Sequence, residues 1–171
     1  MKTISKFGSV LLMLLLLNIV AIQTMAQTTR SIQQESKLRE KNRKVINAFY
    51  VGVENQKFDI IKEVFAENAK QLIPYAPDGF PKSLNGSDAI YKQFSGLTAY
   101  FVQMKFPRQI FSTEDPNFFF VKFKGDMDVK GGGKYENDYI GTFKFQDGKI
   151  VEYAEYFNPI VMAKAFNIKL D

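Results

Sequence analysis

The hydrophobic period of this chain changes once, and that single change limits the folds open to it. Up to Val102 the apolar residues recur at helical spacing, and from Met104 to Phe157 they alternate with polar ones. Helices followed by an unbroken run of strands are an α+β order. The helices must cover one face of an antiparallel sheet, because each element has only one dry side to bury.

The first helix is expected over 36–55. Leu38, Val45, Phe49 and Val53 hold one face, widened by Ile46 and Tyr50. Its other face carries Lys37, Lys41 and Lys44 with Arg39 and Arg43, read as a solvated face because Glu35 and Glu40 interrupt it. Phe58, Ile61, Val64 and Phe65 predict a short second helix. An extended stretch follows from Ala69 to Tyr75, and a third helix from an N-cap at Ser87 has Ile90, Phe94, Leu97 and Phe101 as its stripe.

In the strand region, Met104, Phe106 and Ile110 mark one strand with Pro107 at an edge or bulge. Phe119 to Val129 alternates dry and wet. The triple glycine 131–133 lacks a following Gly-Lys-Ser/Thr and leads into a strand, so it reads as a hairpin loop and not a phosphate cradle. Asp147-Gly148 is a two-residue hairpin turn between strands 135–145 and 149–157.

Residues 1–26 read as a secretory signal: Lys2 and Lys6, an apolar run from Val10 to Val20, then Thr24-Met25-Ala26 with cleavage expected after Ala26. Residues 27–35 read as a disordered tether and 36–171 as one domain. The expectation is an exported protein, periplasmic or secreted, with no membrane attachment after cleavage. The net charge of +5 falls to +3 once Lys2 and Lys6 leave with the signal, too small to argue for nucleic acid.

The chain has no histidine and no cysteine. Ser-His-Asp hydrolysis, thiol nucleophiles, disulfides and His or Cys zinc sites are therefore excluded. Carboxylates, Tyr and Lys remain for proton transfer, and 17 Phe with 8 Tyr suit an apolar cavity. Neither a cofactor nor a metal is expected.

Four segments carry a family resemblance: Leu38-Arg39-Glu40-Lys41-Asn42-Arg43; Glu114-Asp115-Pro116-Asn117 with Phe118-Phe119; Tyr135-Glu136-Asn137-Asp138-Tyr139; and Asp147-Gly148-Lys149-Ile150 running to Glu155-Tyr156-Phe157-Asn158-Pro159. With the order of elements, they resemble the SnoaL-like family of the nuclear transport factor 2-like superfamily, and most closely the phenazine biosynthesis A/B proteins. The resemblance implies a cone of three N-terminal helices on a curved antiparallel or mixed sheet, enclosing a pocket for a small aromatic acid. It also implies acid catalysis by a last-strand glutamate, here Glu155, with a histidine on an earlier strand. Phe106 or a neighbour falls at the histidine's place.

The hairpin turn predicts a register in which Phe145 faces Ile150, Thr142 faces Tyr153, Ile140 faces Glu155 and Asp138 faces Phe157. Asp138 and Glu155 are then diagonal neighbours, about 7–8 Å apart. A β-bulge would invert this parity. The expected site is Glu155 as general acid, with Tyr50, Tyr75, Phe106, Asp138 and Tyr153 contacting the substrate. The opposite face, from Tyr139 and Phe143 to Tyr156, is expected to serve a homodimer. Three functions fit: cofactor-free isomerase, cyclase or condensation chemistry on a small aromatic or polyketide-like molecule; binding of a small apolar ligand without turnover; or a dimeric interaction module.

Overall fold

The computed structural model describes the backbone of residues 4–168 and side chains from residue 23 to 168. The apolar run of the expected signal lies outside the residues whose side chains are described. Two compact units are present, Met1–Lys37 and Leu38–Asp171. The stretch 27–35, expected as a disordered tether, is helical and exposed within α1 (Ile4–Glu54). No proline or glycine interrupts the chain between Gly8 and Gly52, and the hydroxyls of Thr28, Thr29 and Ser31 bond carbonyls one turn back.

The second unit holds the C-terminal part of α1, α2 (Ile60–Val64), α3 (Ser87–Gly96) and α4 (Pro159–Phe166) against a seven-stranded sheet. The strands are β1 (Phe65–Leu72), β2 (Ser83–Asn85), β3 (Phe101–Lys105), β4 (Arg108–Ser112), β5 (Phe118–Val129), β6 (Lys134–Gln146) and β7 (Lys149–Phe157). Their order is β2-β1-β7-β6-β5-β3, with β4 also paired to β5. β1 runs parallel to β7, while every other pairing is antiparallel, so the sheet is mixed.

Asn42, Ile46, Phe49, Tyr50 and Val53 form the buried face of α1. Asn42 on that stripe is anchored through its Nδ2, which donates to the Pro116 carbonyl at 3.0 Å, fixing the β4–β5 turn. The flank expected to be fully solvated is partly docked: Arg43 donates to Ile110 O at 2.9 Å, and Arg39 donates to Glu114 O at 2.5 Å.

Several helix and strand boundaries differ from expectation: Phe65, placed on the second helix, opens β1, and Ser87, expected as an N-cap, is the first residue of α3 after Gly86. Phe101, placed on the third helix, opens β3, because the helix gives way to a 3₁₀ turn at Leu97–Ala99. The single strand expected through Met104, Phe106 and Ile110 is two, since Pro107 has no N–H to continue the ladder. Both halves stay on the same edge of β5, and the Pro107 carbonyl accepts from Lys124 N at 3.1 Å.

α1 and α2 approach closely at Gly52. A Cβ there would lie 2.3 Å from Ile60 Cγ2 and 3.2 Å from the Lys57 carbonyl. Gly52→Ala is expected to destabilise by about 1–3 kcal/mol, overpacking outweighing the better helix propensity of alanine. A lower denaturant midpoint with unchanged slope checks this; an unchanged or higher midpoint refutes it.

Candidate functional site

The β6–β7 hairpin begins as expected. Asp147 and Gly148 adopt positive φ of 52° and 77°, and Phe145 pairs with Ile150. The register then slips: Lys144 pairs with Glu152, so Val151 is one residue too many on β7. Beyond this bulge Thr142 faces Ala154, Gly141 faces Glu155 and Tyr139 faces Phe157. Every inferred pairing past the bulge is displaced by one, and the faces exchange.

Three expectations are corrected by this exchange. Glu155 and Tyr153 share their face with Tyr139, Gly141 and Phe143, not with Asp138 and Ile140. Asp138 is exposed, directly across from Lys124 on β5, and takes no part in the site. The face assigned to a dimer contact contains Phe143, Phe145 and Ile150, which are core.

Tyr153 is the pivot of the inner face. Its ring stacks on Phe143 with centroids 4.6 Å apart and meets Phe49 edge-on at 5.7 Å. Its hydroxyl donates to Glu155 Oε2 at 2.5 Å. Burial pushes the Glu155 carboxyl up to about 7, although the Tyr153 hydrogen bond pulls it down.

Tyr50 reaches the same place from α1. Its ring packs at 5.0 Å on Phe123 and 5.9 Å on Phe106, and the Arg108 guanidinium lies 5.0 Å from its centroid. Arg108 is fixed by Glu54 Oε1 at 2.9 Å and Asn47 Oδ1 at 3.0 Å, and Glu54 Oε1 also accepts from Phe106 N at 2.8 Å. The Tyr50 hydroxyl is buried with no partner at hydrogen-bonding geometry among the described residues. Gly141 makes room for it: a Cβ there would lie 3.3 Å from the Tyr50 hydroxyl and 3.1 Å from Tyr153 Cε2. Phe106 is thus a wall behind Tyr50. Tyr75 lies past the end of β1, 57% exposed, against Tyr156, and does not join the site.

Sequence reasoning missed Tyr135, Asn137 and Tyr139, which alternate onto the inner face of β6 that the β7 bulge makes common with Glu155. Their alternate spacing was visible, but the assumed parity assigned them outward. The Tyr135 and Tyr139 hydroxyls lie 2.9 Å apart, Asn137 Nδ2 donates to Tyr135 at 2.9 Å, and the Tyr139 ring stacks on Phe123 at 4.7 Å. Burial, and then the Glu155 charge, holds Tyr50, Tyr139 and Tyr153 well above the usual phenol range; Tyr135 is also raised, chiefly by burial. All four therefore remain neutral hydroxyls around one carboxyl.

Tyr135 and Tyr139 also line a cavity of about 480 Å³, walled by Phe101, Met127, Met162 and Phe166. It joins an apolar wall to the Tyr135 and Tyr139 phenols, on which the Glu155 charge acts from outside the lining, an arrangement suited to holding a small ring beside a titratable group.

Residues 24–171 match the family described as phenazine biosynthesis protein A/B. The YesE protein of Bacillus subtilis (strain 168) is 34% identical over 106 residues, 61% of this chain and 72% of its own length. A crystal structure of a phenazine biosynthesis-related protein from Pseudomonas aeruginosa superposes with a TM-score of 0.67 at 25% identity, covering 82% of this chain and 94% of its own. A nuclear transport factor 2-like protein from Burkholderia pseudomallei shares the fold at 12% identity, with a TM-score of 0.63 over 72% of this chain and 95% of its own. Helices packed on a curved mixed sheet, and a family match over nearly the whole described domain, agree: the chain belongs to the phenazine biosynthesis A/B family, on a nuclear transport factor 2-like, SnoaL-like cone.

Proposed function

We propose that this protein binds a small aromatic or polyketide-like molecule in its cone and carries out cofactor-free acid/base chemistry on it, isomerisation, cyclisation or condensation, with Glu155 as general acid. The observation that carries this reading is the Glu155 carboxyl, raised by burial to about 7 among neutral tyrosines. At that value both protonation states are populated at neutral pH, so the group can donate a proton and recover it. The Tyr153 hydroxyl bond fixes one carboxyl oxygen and stabilises the carboxylate that donation leaves behind. With no histidine in the chain, the returning proton comes to Glu155 itself or through water.

Export is part of the proposal, on the basic start, apolar run and small-residue end of residues 1–26. So is a homodimer, now through the outer sheet face. Phe111 and Phe120, directly paired across β4 and β5, are 44% and 42% exposed, and Ile140 is 41% exposed on the neighbouring strand.

Native mass spectrometry of the protein incubated with small-molecule extract of its own culture tests the reading, with Glu155→Gln alongside. The expected result is an adduct that the parent converts to a new mass, with conversion falling about 10²-fold in the variant while the adduct persists. An adduct that neither protein converts supports a binder without turnover. Absence of any adduct, with a clean dimer mass, supports the interaction module and refutes the catalytic reading.

A further inference from the structure

We infer that the inner end of the cavity is built to receive one neutral hydrogen-bond acceptor, a ring ketone or comparable carbonyl oxygen on a flat apolar molecule, and to reject a carboxylate there. The inference rests on the pocket reading above and names what that pocket selects.

Hydroxyl protons at this end of the cavity outnumber the acceptors available to them. Asn137 Oδ1 accepts from Asp138 N at 2.9 Å, and its Nδ2 donates to the Asn158 carbonyl at 2.9 Å. One neighbour can only donate and the other can only accept, so the amide has a single orientation. Its second N–H therefore points to the Tyr135 oxygen at 2.9 Å. Tyr135 and Tyr139 together own two hydroxyl protons, and the bond between them uses one, whichever residue donates. The other proton has no acceptor among the described residues. Both hydroxyls belong to residues lining the cavity. Burial keeps both phenols protonated through the physiological range, so the donor is always present.

The surroundings fix the charge of what can pair with it. Leu97, Phe101, Met127, Met162 and Phe166 are apolar walls, and among the described residues the only cation lining the cavity, Lys92, is exposed. A carboxylate at the inner end would exchange its hydration for one neutral donor, with the Glu155 charge close enough to act on both tyrosines. A ligand lacking any acceptor would instead leave a buried O–H unpaired, the situation in which a site discriminates most strongly.

Three probes of one shape separate these cases: 2-acetylnaphthalene, 2-ethylnaphthalene and 2-naphthoate, titrated calorimetrically into the full chain. The ketone is expected to bind at least about tenfold more tightly than the ethyl compound, and the naphthoate more weakly than the ketone. Tyr135→Phe and Tyr139→Phe are each expected to keep the ketone preference, because the surviving phenol has its proton free; the double variant should lose it while still binding 2-ethylnaphthalene. Equal binding of ketone and ethyl compound, or naphthoate binding tightest, overturns this inference and leaves the pocket as a binding site. Binding of none of the three overturns the pocket reading and this inference together. If the double variant does not fold, the wild-type ranking and the two single variants decide the matter.

Discussion

Glu155→Gln is expected to be more stable than the parent protein by about 3 kcal/mol at pH 8 and no more stable at pH 4.5. The carboxyl ordinarily titrates near 4.5, and in the folded cone it titrates at about 7. Below pH 4.5 folded and unfolded chains both hold the proton, and the group is neutral to stability. Between these values the unfolded chain releases its proton while the folded chain keeps it, so unfolding becomes easier by about 1.4 kcal/mol per pH unit. Above pH 7 the folded carboxyl is ionised among Tyr50, Tyr135, Tyr139 and Tyr153, and the full cost applies. Glutamine keeps an oxygen for the Tyr153 hydroxyl and has no proton to lose. In a domain of this size the difference at pH 8 corresponds to roughly 6–12 °C in Tm. Melting curves of both proteins from pH 4.5 to 8 measure it, and parallel curves would show that Glu155 titrates as an ordinary surface acid.

Phe49→Ala is expected to cost about 3–5 kcal/mol, a large share of the roughly 5–15 kcal/mol that holds an ordinary domain together. Phe49 is 1% exposed, and its ring meets Tyr50, Phe65, Phe94, Phe143 and Tyr153 with centroids between 5.0 and 6.1 Å. These five come from α1, β1, α3, β6 and β7, so a void at this point has no single neighbour able to move into it. Phe111→Ala, at an exposed edge-strand position, serves as the comparison and should change stability by no more than about 0.5 kcal/mol in the monomer. Urea denaturation of both variants measures the contrast. A Phe49→Ala loss below about 1.5 kcal/mol would mean that the core around Tyr153 rearranges freely, and that the geometry at Glu155 is less rigid than its packing suggests.

The helical stripe of α1, the turn at Asp147-Gly148 and the long alternating strands were legible in the sequence because each follows from a local period or a local turn. Phe101 was misplaced since its spacing continues the α3 stripe, and nothing in its own side chain announces that the chain has become extended. The parallel pairing of β1 with β7 joins segments some eighty residues apart, and no local pattern records it. Glu155 was singled out by family likeness and Tyr153 by sharing its face two residues earlier on the same strand, and the structure joins the two side chains by a hydrogen bond. Asp138 was lost and Tyr135, Asn137 and Tyr139 were missed for one shared reason. Val151 is an ordinary β-branched residue, well suited to a regular strand, and its backbone irregularity carries no side-chain signature.

The extra residue at Val151 makes the chemistry of this strand a matter of counting as much as of side chains. Tyr153, Glu155 and Phe157 face inward because one position is inserted ahead of them, without any change in the residues themselves. A comparison of related chains that permits no one-residue gap between the Asp147-Gly148 turn and the glutamate will therefore match Glu155 to an outward-facing neighbour. Chains equal in composition across this hairpin but one residue shorter would present the alternate set, Ala154 and Tyr156, to the inner face.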